Sequence, residues 1–566
     1  MLNSKVLYQI GWVLVILISC LTPFLVRNIK SANKNIIVKD YIEGIEGKTG
    51  ILTETYENRQ IVLEYDSIFT RSSEIQINPA RVRFEDQFGK WLIEGSSATR
   101  RNNEWIIIGP VRLTFKDRNN FIIGEGTISG SIPCLLWSQG SWQGLAPLNW
   151  TSMTGLFTGV WTLPEGWSRN NAGVFKSKKL PTIFDGNNLT DKNIKSLQVD
   201  EIESKGDFKE LLLTKIKSDL LLGKLITNKA IANSNQINFP EVVSFERKNE
   251  ILLMSNNAYY SDVGESSVLD LYTVNGSRLI DTFRESISSK NASVYLDGSR
   301  FSGNVEWVQI SKSNTTRINS PEIYIRERQG TSLPNDILID EIVSPKSTEV
   351  LIDDLKFFAD TLRFNKKTFN WSIGPTVNGQ SKDGFYKGGV ASGNRDVWTM
   401  QGPIIYELNN SQGVLRGSSL KVTKAEWILT GEPLIWQRGT DKVTSSKIIK
   451  GSDIIKFSDQ LNGVFIEQDR AITVDAKNGY FKNNKMFLSG PVTLNGIGWS
   501  CSALEALISF DPSRKISLIT LNGDVSLSGK LGEGSGDRLE IKPKLKDKNY
   551  TIHWEGRVKG KSKAYD

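Results

Sequence analysis

Histidine is almost missing from this chain: His553 is the only one in 566 residues, and there are just three cysteines, Cys20, Cys134 and Cys501. A Ser-His-Asp arrangement or a histidine metal cluster would rest on that single imidazole, which sits beside Trp554 in a strand-like run and reads as structural. No two cysteines have C-x-x-C spacing, which excludes thiol redox chemistry and zinc sites. A Cys134–Cys501 disulfide stays open in an oxidising compartment, but both residues lie in hydrophobic strand-like runs, where cysteine serves as plain core. A basic block is also lacking. The net charge is only +8 and no run of cations is interleaved with aromatics, so a nucleic-acid partner is excluded. Mild basicity suits an anionic lipid and equally suits an ordinary soluble surface. The nearest thing to an acid–base pair is Asp353-Asp354. In a strand, neighbours point to opposite faces and could not share a substrate. The expectation is a protein that is not an enzyme, with no cofactor, no metal and no catalytic residue.

Long hydrophobic runs are lacking too, with one exception. Val6 to Val26 carries no charge, and as a helix it would be roughly 31 Å long, the depth of a bilayer's hydrocarbon core. Tyr8 and Trp12 suit an interface, and Arg27 marks the end. Lys5 and the amino terminus favour a cytoplasmic N-terminus, whereas Arg27, Lys30 and Lys34 follow the span. The N-in orientation is chosen because a short first span ahead of a β-rich chain is the pattern of an exported domain. Two other readings remain open. Leu17-Ile18-Ser19-Cys20 resembles a lipobox, with cleavage and lipidation at Cys20, although the run stays apolar through Val26. A conventional cleaved signal is the third. All three export the protein. Residues 1–35 are assigned to the anchor.

What the chain has in plenty is strand alternation: Arg81 to Glu85, Val111 to Phe115, and Val525 to Ser528. Glycine and Asn/Asp clusters separate such runs at short intervals, as antiparallel neighbours require. A longer unit recurs, in which an aromatic-aliphatic strand runs into Gly-Pro or Gly-Asp and then into another alternating strand. Trp371-Ser372-Ile373-Gly374-Pro375, Trp105 to Gly109-Pro110, Trp427 to Gly431, Met486 to Gly490-Pro491 and Leu521 to Gly523-Asp524 are examples. From Gly374 the spacings to Gly402, Gly431, Gly490, Gly523 and Gly556 are 28, 29, 59, 33 and 33 residues. A period near 30, with one unit missing between 431 and 490, predicts a quasi-one-dimensional array of stacked units. The glycine would permit a bend where the chain changes sheet.

The fold class expected is all-β: an elongated antiparallel array after one N-terminal helix. The first array spans 40–175, including the tryptophan-rich stretch from Trp137 to Trp167. Residues 176–339 read as less regular, with a weak helical option over 208–222, and 340–560 form the second array. The tail Lys559 to Lys563 reads as a frayed, solvated end. About 50 strands shared between two sheets would make a rod on the order of 120 Å long.

The span followed by Gly44-Ile45-Glu46-Gly47-Lys48-Thr49-Gly50 and the strands to Val111 resembles the LptC family of membrane-anchored lipopolysaccharide-transport components. The later array, with Ala359-Asp360 and its Gly-Pro-Val and Gly-Asp-Val turns, is similar to the related LptA/OstA repeat. The chain departs from that family in being much longer than a single-module member. The resemblance implies an open β-jellyroll, or β-taco, whose two sheets hold lipid acyl chains between them. It implies a non-enzymatic scaffold, single-pass in the inner (cytoplasmic) membrane, with the bulk of the chain in the periplasm. Its implied partners are lipopolysaccharide or another anionic lipid, an inner-membrane ABC transporter, and a further β-jellyroll bridge protein. The side chains expected to line the groove are Val82, Phe84, Trp91, Ile93, Ile106, Ile108, Val111, Leu113 and Phe115. The same residues would equally fill a closed core. An exported surface solenoid of the adhesin type is the alternative for the whole protein.

Overall fold

A computed structural model describes residues 46–561 apart from 57–58, 72, 131–132, 139–140, 154–156, 178–180, 187–193, 206–209, 234, 248–251, 264–265, 281–282, 313, 410–411, 433, 468–469, 531 and 544–549. The anchor expected over 1–35, and Cys20 with it, lies outside the described residues. The rest is all-β: 49 strands, numbered β1 to β49 in chain order, all in one antiparallel ladder.

The ladder repeatedly divides and rejoins. One half of β2 (Arg59–Arg71) pairs with β4 (Ala80–Glu85) and the other half with β3 (Glu74–Asn78). Two separate rows then climb from there, the first through β5 (Lys90–Gly95) and β8 (Val111–Lys116), the second through β6 (Ser97–Arg101) and β7 (Glu104–Ile108). The rows rejoin on β17 (Ile194–Lys205), which pairs with the last strand of each. Further long strands carry both rows, as in β24 (Ser266–Ile280) to β27 (Thr315–Arg326) and β44 (Lys485–Gly496) to β47 (Glu533–Pro543). Seventeen strands serve both rows and sixteen belong to each row alone, so each row is 33 rungs deep. At about 4.8 Å per rung that is on the order of 150 Å, longer than expected because long strands count twice. Among the described residues strand pairing continues past 175 and past 339. The weak helical option is corrected: Glu210–Leu220 is a strand whose inward residues alternate. Of the tail, Lys559–Lys561 pairs with β47 rather than fraying, Lys559 and Gly560 are exposed, and Ser562 and Lys563 lie outside the described residues.

The repeating glycines mark the line where the chain crosses between rows. In β34 (Val397–Leu408) the register slips between Gln401 and Ile404, at Gly402-Pro403. In β44 it slips between Ser489 and Val492, at Gly490-Pro491, and in β46 (Ile516–Gly529) between Asn522 and Val525, at Gly523-Asp524. Gly402, Gly431, Gly490, Gly523 and Gly556 all have left-handed φ, between 75° and 101°. The missing unit also has its bend. Asp459 and Gln460, with φ of 61° and 75°, join β40 (Ile455–Ser458) to β41 (Leu461–Glu467) midway between Gly431 and Gly490. The period of about 30 is therefore two passes across the fold. A Cβ on Gly490 would lie 2.6 Å from that of Lys477. Gly490→Ala is expected to lose about 1–2 kcal/mol, read as a lower urea midpoint. Gln460→Gly, which relieves the same conformation, is expected to raise it.

The two rows face each other. Trp91 in the first row meets Trp142 of β11 (Ser141–Gly144) in the second at 4.7 Å, edge to face. Tyr406 in the first row stacks on Trp427 of β36 (Trp427–Thr430) in the second at 4.5 Å. One core runs between the rows from Ile61 to Ile541. Along one margin the rows share continuous strands. Along the other stand the hairpin turns, and among the described residues no strand pairing joins the turns of one row to those of the other.

Candidate functional site

The interior is where the expected groove residues fall, with two exceptions. Val82, Phe84, Trp91, Ile93, Val111, Leu113 and Phe115 are all buried and point between the rows. Ile106 and Ile108 do not. In β7 the inward residues are Trp105 and Ile107, and Ile106 and Ile108 lie half-exposed on the outer face. With apolar residues at all four positions, alternation cannot set the phase of this strand, and only its neighbours do.

The aromatic centre of this part is Trp91, 4.6 Å from Phe115 and 5.6 Å from Trp150. Between Trp91 and Trp142, 4.9 Å from each ring, sits the guanidinium of Arg169. It belongs to the second row, and it pairs at 2.5 Å with Asp86 in the β4–β5 turn of the first. Both are shielded from water, with side-chain exposures of 1% and 0%. Asp86 also accepts the N–H groups of Phe88 and Gly89, so one carboxylate shapes its own hairpin and holds the opposite row. The open margin is latched here by a side chain.

Two similar latches follow. Buried Arg247, at a turn of the first row, donates to the carbonyls of Tyr295 and Gly298 in a turn of the second. Buried Arg438 in β37 (Ile435–Arg438) pairs with Asp441 at 3.2 Å and lies 4.7 and 4.2 Å over Phe481 and Phe510 of the second row. A guanidinium can be buried this way because aromatic faces and carbonyls replace its water. None of these arginines stands out as a motif. The signal available was phase: Arg438 is two residues from Trp436 and shares its inward face.

Between the second and third latches the margin opens into a cleft of about 230 Å³. The first row contributes Asp353, Asp354, Lys382 and Asp383, and the second contributes Arg395, Asp396 and Lys424. Trp371, Trp398 and Trp427 line it behind this rim. The expectation that Asp353 and Asp354 point to opposite faces is corrected here. They are the two turn residues between β29 (Thr348–Ile352) and β30 (Leu355–Asn365), and both line the cleft. Two larger hollows, about 500 and 400 Å³, lie over outward side chains such as Arg83, Leu92 and Thr114, and Gln198, Lys217 and Ile226.

Neither of the two described cysteines is in a disulfide, and both are buried. Burial pushes the Cys501 thiol up to about 12 and raises that of Cys134. Because the thiolate is the reactive form, a thiol reagent at pH 8 is expected to label neither in the native protein and both in denaturant, as counted by mass spectrometry. His553, 67% exposed on β48 (Tyr550–Glu555), lies 3.7 Å from Glu555 at the last rung. No protein-family model and no curated protein sequence matches the chain.

Proposed function

We propose that this protein is a non-enzymatic lipid-transport scaffold in which acyl chains lie between the two rows, as in the β-taco of the LptC and LptA/OstA families it resembles. The observation that carries this reading is the asymmetry of the margins. One margin is continuous backbone, and among the described residues the other is closed by side chains alone, so the rows can part there without breaking a ladder hydrogen bond. Between them runs a single apolar interior the length of the fold, and each buried methylene is worth about 0.8 kcal/mol. This interior is packed, so lipid would enter by displacing contacts between rows rather than by filling a void. The surface-solenoid alternative needs no parting at all.

The lipid is proposed to be lipopolysaccharide or another anionic lipid, passed from an inner-membrane ABC transporter toward a further bridge protein. Val6 to Val26 would anchor the chain in the inner membrane, with the bulk in the periplasm. The last rung suits the second contact. β48 and β49 (Lys559–Lys561) pair only with β47 among the described residues, which leaves their outer edges free. Val558 lies in the break between them, so the edge is better tested at Ile552 and His553. Neighbouring residues direct their N–H groups to opposite sides of a strand. Proline at whichever of the two faces outward is expected to abolish docking of a bridge protein, measured by pull-down, and proline at the other to unpair β48 instead.

The direct test places photo-crosslinkers at Ile107, Val111 and Leu113, facing inward, with Ile108 as the outward control, in a lipopolysaccharide-making host. Lipid adducts at the inward sites only would support the scaffold. Adducts nowhere, with no co-purifying lipid, would leave a closed core and favour the solenoid.

A further inference from the structure

We infer that the cleft at the open margin is a binding site for one sugar ring, the headgroup end of a glycosylated lipid whose chain lies between the rows. This rests on the lipid-scaffold reading and adds to it the place and chemistry of the polar end.

The cleft is the stretch of the margin between the Arg247 and Arg438 latches where exposed or half-exposed side chains meet across the opening. Asp354 and Lys382 are exposed and Asp383 half-exposed, and none of their side chains makes a hydrogen bond or ion pair among the described residues. Across from them Lys424 and Asp396 pair at 2.7 Å while remaining largely exposed. The Lys424 ammonium is held above its usual range, first by the bond to Asp396 and also by the field of Asp353 on the opposite row. The two rims are therefore close enough to sense each other, and they do so through groups that water already reaches.

At about 230 Å³ the cleft holds far more than one water, whose share of liquid is ~30 Å³. It is smaller than the ~300 Å³ at which drug-sized sites begin. That suits one ring rather than a chain.

Chemistry decides the class. Four carboxylates face two lysines and one arginine around the rim. A phosphate would meet the carboxylates, and a quaternary amine would meet the bases. A neutral polyhydroxyl group finds both donors and acceptors without either penalty. Behind the rim, Trp427 is half-buried, stacked on Tyr406 and 5.7 Å from Trp398. Trp427 lines the cleft together with Trp371 and Trp398, so the apolar C–H groups of a pyranose would meet aromatic carbon there. Beyond it the cleft meets the packed interior, where an attached alkyl chain would continue.

The experiment uses the full chain in membrane vesicles with two photoreactive probes, a diazirine-bearing octyl glucoside and a diazirine-bearing octyl phosphate. Adducts are mapped by mass spectrometry. The glucoside is expected to label peptides around Trp398 and Trp427, and Asp354→Ala with Asp383→Ala to cut that labelling about tenfold, equivalent to ~1.4 kcal/mol. Both substitutions remove water-facing side chains, and an unchanged circular dichroism spectrum checks the fold. Competition by methyl glucoside as strong as by octyl glucoside would support the sugar site but assign it to a free glycan. Equal labelling by octyl phosphate, or indifference to the double substitution, would overturn the sugar site and leave the lipid scaffold standing. No labelling between the rows by either probe would overturn both.

Discussion

Asp86→Ala is expected to cost about 3–5 kcal/mol, the loss seen when one partner of a buried, hydrogen-bonded ion pair is removed. Arg169 would remain between Trp91 and Trp142 with its carboxylate gone. The double substitution Asp86→Leu with Arg169→Met is expected to recover part of that loss, because both charges leave the core together while the N–H groups of Phe88 and Gly89 still lose their acceptor. Urea midpoints of the three proteins give the comparison. The ladder is a chain of nearest-neighbour contacts, so the damage should be local. Hydrogen exchange is expected to rise in the strands between β2 and β17 and to stay low from β24 onward. A uniform rise along the whole chain would contradict an array in which each rung depends only on its neighbours.

The second large effect concerns the open margin as a whole. Phe88, in a turn of the first row, lies against Gly173 in a turn of the second, where an added Cβ would meet its ring at 2.4 Å. Their neighbours Gln87 and Ala172 are exposed. Gln87→Cys with Ala172→Cys, bridged by a short bis-maleimide, would tie the rows together away from the cleft. The buried native thiols should stay unlabelled under the same conditions. Bridging is expected to reduce lipid adducts at Val111 and Leu113 at least tenfold, a change of about 1.4 kcal/mol or more in the opening. Each single cysteine capped with a mono-maleimide should leave the adducts unchanged. If the bridged protein took up lipid as well as the unbridged one, parting of the rows would not be the route of entry.

The bend line shows how far a glycine pattern carries and where it stops. Gly402, Gly490 and Gly523 were legible because left-handed backbone is cheap only for glycine, and each lies at a bulge between rows. The bend at Asp459-Gln460 was not legible. There the surrounding pairing holds two non-glycine residues in the same conformation, and only the gap of 59 residues marked the position. The strand Glu104–Ile108 is a second limit. Val82 and Phe84 declare their face because arginines alternate with them, whereas Trp105 to Ile108 is apolar throughout and its sequence leaves both phases equally open.

Sequence alone determined what is local and periodic: strands throughout, turns at short intervals, a bend about every second pass, and an inward face wherever polar residues alternate with apolar ones. These follow from side-chain direction and backbone sterics, which act within a few residues. Tertiary structure decided what depends on distant partners. Arg169 and Asp86 are 83 residues apart, and the cleft gathers turns from Asp353 to Lys424. Whether a charge is solvated or buried as a latch, and whether two adjacent aspartates diverge or share an opening, depends on which turn faces which across the fold. No spacing along the chain encodes that, because the faces meet only once the two rows have closed on each other.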